Sequence, residues 1–298
     1  MKLSLGPNLF YWPRQATLDF YEEVARMPVD IVYLGETVCS RRHELRAEDW
    51  IDVADRLVAA GKEVALASQS LIESESDLKA LRRLVDNEAF RVEANEMGAV
   101  RLLAEKKIPF VAGMSLNVFN GHTLKLLADM GATRWVMPPE SSRETLVGML
   151  AEKPADLETE VFAHGRLPLA WSARCFTARR FNLQKDTCEF KCIDFPDGMM
   201  LKTREDQQFL VINGIQTMSA KTYNLLRELP QLGAAGVDIV RVSPQAEGTA
   251  AEIDLFRKAI AGELSGAAAA DAAAAAMPAG VCNGFWHGQP GLELVENA

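Results

Sequence analysis

The sequence predicts an α/β fold, a (β/α)-barrel-like parallel sheet with a cysteine-bearing segment inserted before the last strand. Two observations carry that expectation. Up to about residue 165, short apolar or β-branched runs alternate with helical patterns of roughly a dozen residues, as repeated βα units do. An eighth strand and its helix then follow a long excursion and complete the strand count of a barrel. A doubly wound open sheet shares this periodicity and is the structural alternative.

In chain order, strands are expected at 3–5 (LSL), 31–34 (IVYL), 63–67 (EVALA), 91–94 (RVEA), 110–113 (FVAG), 134–137 (RWVM) and 158–163 (ETEVFA). Helices are expected between and after them at 16–27, 47–60, 74–87, 97–106, 121–130 and 141–153, with apolar residues at helical spacing such as Leu78, Leu81 and Val85. The eighth strand falls at 238–242 (DIVRV), followed by a helix over about 251–261. Residues 166–235 break the rhythm with three cysteines, a charged segment and the run FLVINGIQTMSAKTYNLL, and read as an insertion at the barrel mouth. Residues 266–280, GAAAADAAAAAMPAG, can form a helix but read more simply as a variable tether. The 298 residues form a single barrel-like domain in this reading, and 48% hydrophobic content supplies its core.

Composition narrows the function classes. A formal charge of -9 disfavours an extended phosphate backbone as partner unless basic residues cluster locally. Apolar stretches such as 108–124 are interrupted by Pro, Gly, Asn and His, so no membrane span is expected, and Gly6, Pro7 and Asn8 break the start before a signal-peptide core can form. A cytoplasmic location is therefore expected. Five cysteines in such a chain argue for reduced thiols used in metal binding or chemistry.

Cys39 lies just beyond the second strand and Cys175 in the excursion after the seventh, so both belong at one barrel mouth. Cys188 and Cys192 follow in the run CEFKC. Four thiolates are what a 4Fe-4S cluster takes. Zinc also accepts four cysteines, though usually as two close pairs, and unrelated buried or free cysteines are the third reading. Cys282, in the tail, is left out of the set and reads as a small packed residue.

With those residues in view, the chain resembles the iron-sulfur branch of the collagenase-like peptidase superfamily. The likeness runs nearly the whole length, on KLSLGPNLFYWP, DIVYLGETVCSRR, PFVAGMSLNVFN, HGRLPLAWSARCFTAR, CEFKC, VINGIQTMSAKTYNL, VRVSPQ and CNGFW. The resemblance implies a barrel of parallel strands and a cytoplasmic protein with a 4Fe-4S cluster on Cys39, Cys175, Cys188 and Cys192. It also implies a heterodimer with a paralogue, an association with a lipid-binding accessory protein, and a part in oxygen-independent hydroxylation of the ubiquinone ring. Relatives that hydroxylate RNA bases offer a second function, and a scaffold that needs its cluster only to fold offers a third. The chain departs from the peptidase signature after Glu160, Phe162 and Gly165, where it continues RLPLAWSARC, and no HExxH pair or GxSxG elbow occurs. Peptide hydrolysis is accordingly not expected.

The candidate catalytic residues are Glu36, His164 and Arg241, each at the C-terminal end of an expected strand, where barrels place their chemistry. Glu36 can move a proton or cap a loop, His164 can act as a catalytic or a structural histidine, and Arg241, beside Ser243, can hold a carboxylate. Asn95 and Asn117 are ligand-binding or turn residues. Arg174, Arg179 and Arg180 can offset the charge of a thiolate-bound cluster, bind an anion, or form a solvated basic face. Gln216, Ser219 and Tyr223 can line a pocket or belong to a packed loop and helix.

Overall fold

Runs of Val, Ile, Leu and Ala too short for a helix become parallel strands, and the amphipathic stretches between them wrap the sheet. A computed structural model describes residues 1–277 and 279–296; Pro278, inside the expected tether, lies outside the described residues. In chain order the elements are β1 (Lys2–Leu5), α1 (Arg14–Val24), β2 (Ile31–Leu34), α2 (Ala47–Ala59), β3 (Glu63–Ala67), α3 (Glu75–Val85), β4 (Arg91–Ala94), α4 (Met97–Glu105), β5 (Phe110–Ala112), α5 (Gly121–Asp129), β6 (Ala132–Met137), α6 (Arg143–Glu152) and β7 (Glu158–Trp171). Then come α7 (Phe176–Arg180), β8 (Met199–Lys202), β9 (Gln208–Asn213), β10 (Gln216–Asn224), α8 (Leu229–Ala235), β11 (Ile239–Val242), α9 (Thr249–Ala261), α10 (Gly266–Ala275) and β12 (Val281–Cys282). Helix starts are set by side chains. Ser74 accepts the amide of Asp77, Asn120 that of Thr123 and Ser142 that of Thr145, each satisfying an otherwise orphaned donor.

Strands β1 to β7 pair in sequence order, and β11 closes the circle by pairing in parallel with both β1 (Leu3 opposite Val240) and β7 (Val240 opposite Val161). The result is the closed eight-stranded parallel barrel with surrounding helices; the open-sheet alternative is excluded by that closure.

Three features depart from the expected layout or refine it. β7 does not end near Ala163 but continues to Trp171, because Gly165 takes a φ of +131° and the strand leaves the barrel to pair antiparallel with β10, Tyr223 opposite Gly165 and Gln216 opposite Trp171. A Cβ at Gly165 would sit 2.6 Å from Ser243 Cβ, so both backbone and space require glycine there. The run expected as a packed loop and helix is instead the β9–β10 hairpin, extended by edge strand β8 into an antiparallel meander. Its two-residue turn is Gly214-Ile215, with Gly214 at φ +64° in the first central position, where a tight hairpin turn asks for glycine. Of the two forms open to the Ala-rich stretch, residues 266–275 take the helical one, with Ala269 and Ala273 fully buried and Ser265 capping the first turn.

Two hydrophobic cores result. The larger fills the space between barrel and helices, and the smaller joins Leu9, Phe10, Trp12, Val38, Val211, Ile215 and Met218, with Cys39 and Cys175 packed on its margin. That second core fastens the meander to the loops after β1 and β2. It is the floor of the site described next.

Candidate functional site: a ring of four thiols

Each cysteine is positioned by its own piece of backbone chemistry. In the loop after β2, Glu36 Oε1 accepts the amides of Val38 (2.9 Å) and Cys39 (3.1 Å), which fixes the turn that presents Cys39. Cys175 is the N-terminal cap of α7, its Sγ accepting the Ala178 amide at 3.4 Å. The same helix start is tied to the hairpin turn, because the amides of Phe176 and Thr177 donate to Gly214 O and Thr177 Oγ1 accepts the Gly214 amide at 3.0 Å. Between Cys188 and Cys192, Glu189 and Phe190 both adopt φ near +52°. Left-handed backbone at non-glycine residues costs on the order of 1–3 kcal/mol each and persists only where surroundings demand it. Here it curls CEFKC so that both thiols face the other two.

All four thiols line one cavity, together with Arg41, Arg42, Lys185, Lys191, Phe190 and Gly214. The cavity is narrow, about 20 Å³, and partly open to solvent. Among the described residues, no group of three or more His, Cys, Asp or Glu side chains is arranged to hold a single metal ion. A zinc ion would draw its sulfurs to within ~3.8 Å of one another, given Zn–S bonds of about 2.3 Å.

Arg42, which sequence reasoning missed, is the keystone of the cavity wall. It is 5% exposed, and its guanidinium donates to Leu9 O (2.8 Å) and Asn213 Oδ1 (2.5 Å), lies 3.5 Å from Glu36 Oε1, and rests over the Tyr11 ring. It thereby joins the loops after β1 and β2 to the hairpin. Burial pushes the Cys39 thiol up to about 11 and raises that of Cys192, while Arg42 opposes the rise at both. Burial also raises the Glu36 carboxyl against the pull of Arg42. Among the described residues the buried Nε atoms of Arg41 and Arg42 have no hydrogen-bond partner. As thiols Cys39 and Cys192 are poor nucleophiles at neutral pH; as metal-bound thiolates they would have Arg42 at hand as a compensating cation.

The remaining candidates divide by location. Arg241 does not stand open at the mouth: it is buried inside the barrel, Nε on Glu160 Oε1 and Nη1 on Glu93 Oε1, both 2.7 Å, with its guanidinium 4.0 Å from the Tyr33 ring centre. Ser4 and Tyr33 donate to Glu160, and Arg134 donates to Tyr33, Glu63 and Glu158. The barrel interior is thus an ionic network, filled and closed to a ligand. The signal was in the sequence, since six of the eight barrel strands carry a polar residue that the network uses: Ser4, Tyr33, Glu93, Arg134, Glu160 and Arg241. Asn95 sits above them, bonded to Ser68 O and Ser115 Oγ. Asn117, with φ +55°, lies on the rim of a mouth cleft that also takes in Leu71, Met114, Pro138, Pro168 and Trp171.

Gln216, Ser219 and Tyr223 are buried in β10, Ser219 accepting the Leu167 amide and Tyr223 packing on Phe162. Ser243 donates its amide to His164 O. Cys282, fully buried in β12 beside β10 with its thiol pushed up to about 12, stands apart from the ring. Arg174, Arg179 and Arg180 are exposed around α7.

His164 turns toward the helical layer, its ring edge-on to Phe256 and its Nε2 3.8 Å from Glu252 Oε2. Burial lowers the histidine to about 4 and raises the glutamate to about 7. A lowered histidine loses stability as pH falls from its ordinary value of 6.5 through 4, and a raised carboxyl loses it as pH rises from 4.5 through 7. Glu252→Gln removes only the second loss. The variant should therefore match wild type near pH 4.5 and gain about 1–2 kcal/mol over it by pH 8, after discounting for solvent screening. Urea titrations at those pH values check this, and a difference that does not grow with pH refutes it.

Closed parallel barrel and antiparallel meander together define a (β/α)8 protein that carries four cysteines on one cavity at its mouth. The family model for Peptidase family U32 matches residues 17–296, and the chain belongs to that family. It is 28% identical over 120 residues to tRNA hydroxylation protein P of Haemophilus influenzae, covering 39% of this chain and 26% of that protein. To tRNA hydroxylation protein P of Escherichia coli it is 30% identical over 103 residues, covering 33% and 22%. The chain thus aligns with about a quarter of the length of these relatives. A solved structure, the U32 peptidase Mk0906, aligns over 82% of this chain and 93% of its own with a TM-score of 0.48 and 14% identity. Among the described residues no helix is long and apolar enough to cross a membrane.

Proposed function

We propose that this protein is the 4Fe-4S subunit of an oxygen-independent hydroxylation system, and that its particular place is that of the ubiquinone biosynthesis protein UbiV, acting as a heterodimer with its paralogue UbiU. The observation that carries the reading is the convergence of Cys39, Cys175, Cys188 and Cys192 on one cavity. Four thiols are the donor set of such a cluster, and a net-negative thiolate-bound cluster suits a wall of Arg41, Arg42, Lys185 and Lys191. Family membership and relatives named for tRNA hydroxylation support the reaction class. Bound there, the cluster would supply one-electron chemistry. Arg42 and Glu36 hold the Cys39 loop, α7 holds Cys175, and the second core keeps water from the floor of the cavity. The ring of the ubiquinone precursor would lie in the mouth cleft, whose Leu71, Met114, Pro138 and Trp171 offer apolar faces to an aromatic group.

Anaerobic purification tests the central claim. Wild type is expected to carry about four irons and four sulfides per chain, both lost in Cys188→Ala/Cys192→Ala; zinc, or no metal in material never exposed to air, would refute it. A deletion strain grown without air should lack ubiquinone and make it normally in air. The relatives' names favour one second reading, hydroxylation of an RNA base, which loss of a hydroxylated nucleoside from the same strain would establish instead.

A further inference from the structure

Three cations beside the thiol ring have no anion. Lys185, Lys191 and Arg41 pair with Glu73, Glu189 and Asp186, but among the described residues Arg174, Arg179 and Arg180 make no salt bridge and all three are exposed. They are not scattered. Arg174 precedes Cys175, and Arg179 and Arg180 end α7, the helix that Cys175 itself caps. At about 1.5 Å of rise per residue, Arg180 lies roughly 8 Å along that helix from the cysteine. Next to it Phe181 is 41% exposed and leans on Phe195. In a chain of net charge -9, this is a local positive rim with an apolar centre, set against one side of the cavity.

We infer that the Arg174, Arg179, Arg180 and Phe181 face docks an acidic one-electron carrier protein that reduces the cluster, an inference that rests on the cluster reading above. In each encounter the carrier gives up one electron and the cluster takes one; no atom is transferred. Complexes of that kind are small and transient, and complementary charge raises their association rate rather than their lifetime. A nucleic acid is the poorer fit. Strong binding to a phosphate backbone takes several contacts, whereas three arginines on an otherwise acidic protein suffice for steering.

The test uses a plant-type 2Fe-2S ferredoxin as the acidic carrier and photoreduced deazaflavin as a small uncharged donor, with the triple variant R174Q/R179Q/R180Q beside wild type. At low ionic strength, bleaching of the cluster by reduced ferredoxin should be at least about tenfold slower in the variant. The wild-type rate should fall with added salt and the variant rate should not, while deazaflavin reduces both equally. Binding of oxidised ferredoxin to cluster-free protein, followed by gel filtration at low salt, should show the same loss. Equal ferredoxin rates in the two proteins would overturn the assignment, and so would equal slowing with deazaflavin, which would locate the effect in the cluster's surroundings. Unchanged ferredoxin binding with lost binding of transfer RNA would overturn it in favour of an RNA surface. Iron analysis of the wild type, made first, separates failure of docking from absence of the cluster.

Discussion

Replacing Arg241 by alanine is expected to lower the stability of the protein by about 3–5 kcal/mol, the range seen when one partner of a buried ion pair is removed. The side chain is 1% exposed and holds two carboxylates, Glu93 and Glu160, that have few other cations within reach. Arg134 reaches Glu160 only through Tyr33 and at 4.0 Å. Without Arg241, Glu93 is left with the Asn95 amide alone, at 3.3 Å. Each carboxylate must then be protonated or remain charged in a site sealed from water, and either outcome is unfavourable. Against a total stability of about 5–15 kcal/mol, much of the folded population would be at risk at 37 °C. Urea unfolding followed by far-ultraviolet circular dichroism measures the loss; a change below about 1 kcal/mol would mean that the interior network does not hold the barrel together.

The second large effect is expected at Arg42, and on the site rather than on the barrel. Arg42→Ala removes the bonds to Leu9 O and Asn213 Oδ1 and the cation beside Glu36, all at the seam between barrel loops and hairpin. The eight strands do not depend on it. Outer-shell partners of metal ligands are worth about 10–100-fold in metal affinity, so on the cluster reading proposed above the variant should fold, yet release iron about 10–100-fold more readily to a chelator under anaerobic conditions. Retention equal to wild type would show that the loops hold the thiols without this arginine.

The barrel was legible because its strands are short apolar runs bounded by breakers, and every barrel strand lies where such a run occurs. The thiol ring was legible for a different reason: strand ends in a barrel share one face, so Cys39 and Cys175 belong together once the strands are counted. What escaped lies where local pattern and environment disagree. Pro168 and the irregular HGRLPLAW gave no period-two signal, so the extension of β7 was hidden. Arg241 ends an apolar strand and reads as a mouth residue, but its parity turns it inward, where only partners on other strands reveal its role. His164 follows a register shift between Arg241 and Val242 that carries it to the helical layer. Arg42 is one of two adjacent arginines in a loop, and nothing local separates the buried one from the exposed one.

The ring of thiols is drawn from both halves of the chain, and its wall from the loops after β1 and β2 and from the hairpin turn. The hairpin turn and the three later cysteines join the Cys39 loop only once the chain beyond β7 has been made. During synthesis, a nascent chain would display Cys39 alone for the time needed to make nearly half of the protein. On the cluster reading proposed above, whatever delivers iron and sulfide would meet a largely finished fold, and cluster content in cells would report how completely the chain matures rather than how early it is supplied.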